Sequence, residues 1–221
     1  GSWFPERNER VVIACHYDTR PFPDEEPNPN LRNQPFVGAN DGASGVALLM
    51  EMAHHLTPES TPWGVDLVLF DGEELVYGRA GDYFLGSKAF ARRYTSDRRS
   101  GRSKSFYAAG IVLDMVAGKN LHIPREPYSL RFARGLVNDV WEVAHRLEAP
   151  AFVDDIGREV LDDHLALNDA RIPTIDIIDF GYAHWHTAAD LPENCSAASL
   201  AQVGRVVTAW LSKPIPNGKR R

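Results

Sequence analysis

An apolar run ending in adjacent carboxylates, VLFDGEELVYG at residues 68–78, raises a chemical question about Glu73 and Glu74. Like charges this close repel, and one of the two is pushed toward protonation. On an ideal strand they would point to opposite faces. The Asp71-Gly72 step before them marks the exit from the strand, so both carboxylates can converge from a turn. An isolated Glu-Glu pair more commonly points into water, so the other chemistry-bearing residues decide.

Those residues gather where apolar runs end. His16 and Asp18 stand two apart in HYD and share a face if extended. Asp18 can then fix one imidazole nitrogen and aim the other at a metal; a plain buried His–Asp hydrogen bond is the alternative. Asp41 lies in GANDGASG, where it either caps a helix or sits among small residues that let the backbone approach a ligand. Asp114 in VLDMVAG, the LDDH of residues 161–164, and His184, Trp185 and His186 in HWHT complete the set. Mixed carboxylate and imidazole donors of this kind suit zinc. His54, His55, His122 and His145 lack such surroundings and read as surface or packing residues.

The elements that must position these groups follow from periodicity. Strands are expected over 10–15, 65–70, 108–116 and 173–180, each short, apolar and rich in β-branched residues. Helices are expected over 42–56, 130–147 and 200–211, where apolar residues recur at helical spacing. Five prolines between Pro21 and Pro35 make 20–36 an irregular loop, and the basic stretch 91–105 reads as a solvated loop. Strands alternating with helices predict a single α/β domain over 1–221, its mostly parallel mixed sheet covered by helices on both faces. In such sheets, sites form beyond the carboxyl ends of the strands.

Composition narrows the function classes. The 221 residues carry 24 basic and 30 acidic side chains, a net charge of −6 that gives no reason to expect nucleic-acid binding. No apolar run reaches the ~20 residues of a membrane-spanning helix. No signal peptide is visible, and Cys15 and Cys195 form no CxxC pattern.

The ordered set ACHYDT, GANDGASG, LFDGEE, IVLDMV, DDH and WHT resembles the zinc-dependent aminopeptidase-like hydrolases, and within them the glutaminyl cyclases, from about Arg10 to Leu211. The resemblance implies that Asp41, Glu74 and His186 hold a catalytic zinc and that Glu73 is the general acid/base. In two-metal aminopeptidases of this kind the residue matching Asp41 bridges both ions, with those matching His16 and Asp114 completing the second site. Cyclases typically use one zinc and draw the residue matching Asp114 into a hydrogen-bond network around the base. An acidic Asp162 before the Asp-His pair and Trp185 beside His186 are cyclase-like features. Trp185 would then wall the pocket, or else simply pack in the core. The implied substrates are peptides or proteins with an N-terminal glutamine, and the implied location is extracytoplasmic.

The chain also departs from the pattern. Animal cyclases pair the cysteine matching Cys15 with another at the position of Val46, so that disulfide is not expected. They place a tryptophan where this chain has LVYGRAG, residues 75–81. Relatives usually have a helix and a strand before the HYD strand. The opening GSWFPERNE reads as the remnant of a hairpin, with an upstream segment missing or replaced.

Overall fold

The computed structural model describes residues 1–75 and 83–214. Alternation of inward and outward side chains organises the sheet first. Its strands are β1 (Ser2–Trp3), β2 (Glu9–His16), β3 (Gly64–Phe70), β4 (Phe106–Asp114) and β7 (Thr174–Ile178), in the spatial order β1-β3-β2-β4-β7. β2, β3, β4 and β7 run parallel, with Ile13 opposite both Leu67 and Ile111, while β1 lies antiparallel on the β3 edge. The opening residues, expected as the remnant of a hairpin, form the short edge strand β1 paired with β3. A separate two-stranded ribbon joins β5 (Ile123–Arg125) to β6 (Phe152–Ile156).

Helices α1 (Ala43–His55), α3 (Pro127–Arg146) and α5 (Ala197–Leu211) cover one face, and α2 (Leu85–Arg99) and α4 (Asp163–Asp169) cover the other. Along β2, Val11, Ile13 and Cys15 pack in the cluster with Leu48, Val137 and Val206, whereas Val12 and Ala14 join Phe70 and Leu167 on the opposite face. Period-two alternation within a strand buried on both sides produces this partition. The mostly parallel α/β architecture is therefore as the periodicity predicts. No helix among the described residues is long and apolar enough to cross a membrane.

The basic stretch 91–105 is not the expected loop, because α2 runs through Arg99. Its buried side is made of small residues, Ser87 and Ala91, flanked by half-buried Phe90 and Tyr94. A charged sequence needs only that narrow stripe to dock, and polar residues dominate its composition. α3 also begins earlier than predicted. Pro127 stands in its first turn, and the Glu126 carboxylate caps it by accepting from the Tyr128 and Ser129 N–H groups.

The edge of the sheet is fastened by one ion pair. Arg10, 5% exposed, donates through Nε and Nη2 to the two oxygens of Asp66, both at 2.8 Å, and Tyr107 donates to the same carboxylate at 2.7 Å. Burial alone would raise the Asp66 carboxyl, but hydrogen bonds from Arg10, Ser2 and Tyr107 outweigh it and hold the group below its ordinary value. This stabilisation is present above the unfolded-state value and fades as pH falls through the lower folded one. Asp66→Ala strands the Arg10 charge and is expected to cost ~3 kcal/mol, the low end for a pair that water partly reaches. Urea denaturation at neutral pH measures it, and a loss below ~1 kcal/mol would show the pair to behave as a surface contact.

Candidate functional site

The strand order reverses around β2, whose two parallel neighbours β3 and β4 come later in the chain on opposite sides. Such a switch opens a crevice at the carboxyl edge of the sheet. β2 ends there on His16 and β4 on Asp114, and His16 Nε2 lies 3.1 Å from Asp114 Oδ1 and 3.2 Å from Asp41 Oδ1. His16 Nδ1 faces the Asp18 backbone carbonyl at 3.1 Å, with the Asp18 carboxylate 3.9 Å away. The expected side-chain pairing of the HYD triplet is therefore replaced by a backbone one.

The Asp18 carboxylate has another task. Its two oxygens accept from the backbone N–H groups of Glu73 and Glu74, at 3.1 and 3.0 Å. Gly72, at φ 69°, supplies the left-handed step that bends the chain off β3. Together they form the turn from which both glutamates reach the crevice, as the Asp-Gly step in the sequence suggests.

Asp41 does not cap α1. Gly42 occupies the cap position, at φ 94°, and a side chain there would strike the Asp18 carbonyl at 2.8 Å. The small residues of GANDGASG thus let this segment pack against the end of β2, rather than opening space for a ligand at that point. Asp190 holds the segment from behind, accepting from the Asn40 and Asp41 N–H groups at 2.9 and 3.1 Å and from the Tyr182 hydroxyl at 3.0 Å. Fully buried, it leaves the Asp41 carboxylate to point into the crevice. Nothing local in TAAD signals that role, because its backbone partners Asn40 and Asp41 lie about 150 residues away.

Asp41, Glu74 and His186 converge, all buried, with one donor atom from each lying within 4.8 Å of the others. His186 Nε2 stands 2.9 Å from Glu74 Oε1 and 3.5 Å from Asp41 Oδ2, and that Asp41 oxygen has no hydrogen-bond partner among the described residues. An orphaned buried carboxylate oxygen is costly, and two carboxylates with an imidazole are a donor set that zinc accepts. The residues present fit a zinc ion. His186 itself is held at φ 54°, a strained value for a non-glycine residue, which fits a position fixed by function.

Glu73 lies beside this group, half-buried, on the wall of a cavity of ≈ 490 Å³ that Glu74, Asp114, Asp162, Trp185 and His186 also line. Burial pushes the Glu73 carboxyl well above its ordinary value; His16 opposes this, and Glu74, Asp162 and Asp163 add to it. Glu74 moves oppositely: burial acts upward, but His186 and Arg20 outweigh it and lower the group. The two adjacent carboxyls are thereby driven apart.

Trp185 both packs and lines the cavity. It lies against Phe180 and stacks on His186 with ring centroids 4.0 Å apart. His184 packs on Tyr182 and stays outside the convergent group. His54, His55, His122 and His145 are exposed, as expected. Residues 76–82, most of the LVYGRAG segment, lie outside the described residues.

Two further groupings of donor atoms are present among the described residues. His16, Asp41 and Asp114 share Asp41 with the first and form the second-metal set that the aminopeptidase resemblance implies. Asp162, His164 and Asp176, all buried, form another that runs back from the cavity wall at Asp162, with His164 Nε2 3.4 Å from Glu126. Burial and the neighbouring Asp162, Asp114 and Glu126 carboxylates raise Asp176 well above its ordinary value.

Comparison with known proteins adds independent findings. A profile described as Peptidase family M28 matches residues 1–211. The solved glutaminyl cyclase of Fimbriiglobus ruber is 42% identical, aligned over 95% of this chain and 72% of that one, with a TM-score of 0.89. A leucine aminopeptidase precursor from Bacteroides thetaiotaomicron is 33% identical over 97% of this chain and 76% of its own, with a TM-score of 0.88. Among curated proteins, the glutaminyl-peptide cyclotransferase of Gloydius blomhoffii is 27% identical over 241 aligned residues, which take in 94% of this chain and 62% of that protein.

Proposed function

This chain belongs to peptidase family M28, and from that premise we propose that it is a glutaminyl cyclase whose residues 1–221 act as one catalytic domain. The observation that carries the reading is the placement of Glu73. It stands half-buried on the cavity wall beside the Asp41–Glu74–His186 group, with a raised proton affinity and no ligand role to fill. The substrate is a peptide or protein whose first residue is glutamine. The 42% identity to a solved cyclase supports the same choice. An extracytoplasmic location is proposed by family analogy alone.

Asp41, Glu74 and His186 hold one zinc ion, which when bound supplies Lewis-acid polarisation of a carbonyl oxygen. Trp185 and Phe180 present an aromatic wall against which the glutamine side chain is oriented. Glu73 accepts the proton released as the α-amino nitrogen bonds to the side-chain amide carbon. It then delivers a proton to the departing nitrogen, which leaves as ammonia. One C–N bond forms and one breaks, no water is consumed, and the product is N-terminal pyroglutamate. A carboxyl with raised proton affinity suits this shuttle, since general acid–base catalysis works best near the ambient pH. Asp162 keeps that affinity high through its charge, and Asp114 holds His16 beside it.

A second reading, a metallo-aminopeptidase, draws on the His16–Asp41–Asp114 grouping, which offers donors for a second ion. Product identity separates the two. Zinc-loaded protein is expected to convert a Gln-initiated peptide to its pyroglutamyl form at unchanged length, with one ammonia released per chain. Release of free amino acids in mass spectra would sink the cyclase reading in favour of the peptidase.

A further inference from the structure

The zinc ligands just proposed come from turns rather than regular elements, and the proline-rich loop of residues 20–36 ties two of them together. Arg20 donates from Nε to Asp24 Oδ2 at 3.1 Å, and its Nη2 lies 2.9 Å from the same oxygen. Its remaining terminal nitrogen, Nη1, donates to Glu74 Oε2 at 2.5 Å. The other Asp24 oxygen, Oδ1, lies 2.9 Å from His186 Nδ1, off the line of an ideal hydrogen bond. One guanidinium and one carboxylate thus connect the outer sides of Glu74 and His186, whose inner atoms face each other at 2.9 Å.

The loop is also stapled to the His186 turn through its backbone. Glu25 donates its N–H to the His186 carbonyl at 3.2 Å, and the buried Glu26 carboxylate accepts from the Ala188 N–H at 2.9 Å. Pro21 and Pro23 fix two of the φ angles between Arg20 and Glu25. These features explain why so irregular a stretch keeps a defined course over the crevice.

Resting on the ligand assignment above, we propose that Asp24 and Arg20 are positioning residues that prepare His186 and Glu74 for the metal. An imidazole that binds zinc through Nε2 must carry its proton on Nδ1, and a carboxylate beside Nδ1 selects that tautomer. Arg20 performs the complementary task on Glu74, engaging one oxygen so that the other faces Asp41 and His186. Asp24 is nearly half exposed, its side chain 48% accessible, so it adds little to folding. A role in folding and a role in ligand positioning therefore predict different results.

The experiment measures zinc dissociation constants by competition with a chromogenic chelator, alongside melting of EDTA-treated protein, for wild type, Asp24→Ala, Asp24→Asn and Arg20→Met. Asp24→Ala is expected to bind zinc ~10–100-fold more weakly, the usual effect of removing an outer partner of a ligand. Asp24→Asn keeps an acceptor without the charge and should lose less, and Arg20→Met should weaken binding through Glu74. The EDTA-treated Asp24 variants should melt with wild type. Unchanged affinity in Asp24→Ala overturns the positioning role and leaves the ligand assignment standing. So does weaker binding matched by an equal loss of metal-free melting temperature, which would reduce Asp24 to packing. A wild-type chain that takes up no zinc overturns the ligand assignment and the positioning role together.

Discussion

Glu73→Gln is expected to retain its zinc and lose ~10²–10⁴-fold in cyclisation rate, the contribution typical of a positioned general acid–base group. The amide has nearly the same shape as the carboxyl but cannot accept and return the proton. The fold should tolerate it, because the substitution removes a charge that burial and the Glu74, Asp162 and Asp163 carboxylates all disfavour. Metal uptake should be undisturbed, since Glu73 contributes no atom to the convergent group of Asp41, Glu74 and His186. Zinc content by metal analysis and the rate of ammonia release are read on the same preparation. Retained zinc with full turnover would remove Glu73 from the chemistry.

Local patterning accounts for much of this arrangement. Each of the four parallel strands is an apolar run visible by periodicity, and the chemistry-bearing residues His16, Glu73, Glu74 and Asp114 lie at or just beyond their carboxyl ends. The pattern succeeds there because a strand buried on both faces is mostly apolar, so the polar residues that follow the apolar run mark its exit, while Asp66 in β3 and Asp176 in β7 lie inside their strands. It fails for α2, whose docking stripe of Ser87 and Ala91 is too small and too polar to stand out from its arginines. It also misses the edge strand β1, two residues long, whose pairing with β3 is set by residues more than 60 positions away.

The candidate site divides in the same way. Residues that face the cavity are recognisable by type and order, whereas those that hold them are not. Asp18 grips the Glu73–Glu74 turn, Asp190 the Asp41 backbone, and Arg20 with Asp24 the outer edges of Glu74 and His186. Asp190, Arg20 and Asp24 are common charged residues in turns or loops and look solvated in the sequence, while Asp18 stands out beside His16 but holds a different partner. Their partners stand 54 to 162 residues away along the chain, a separation that no local period encodes.

Glu74→Gln is expected to produce the opposite dissection, losing zinc affinity by more than the ~10–100-fold of an outer-shell change. Its neutral amide is a far poorer donor to a divalent cation than a carboxylate. The substitution also deprives half-buried Arg20 and buried His186 of the carboxylate that now stands beside both, at 2.5 and 2.9 Å. The Arg20 guanidinium would then face the site without its anionic partner, which adds repulsion of the metal to the loss of a ligand. The kinetic consequence differs from that of Glu73→Gln in a measurable way. Rate lost through weak binding returns in part when zinc is raised toward saturation, whereas rate lost with the proton shuttle does not. A zinc titration of both variants therefore assigns the two neighbouring glutamates separately. Equal loss of zinc in the two, or recovery of Glu73→Gln by added metal, would mean that the adjacent carboxylates act as a joint ligand rather than as ligand and base.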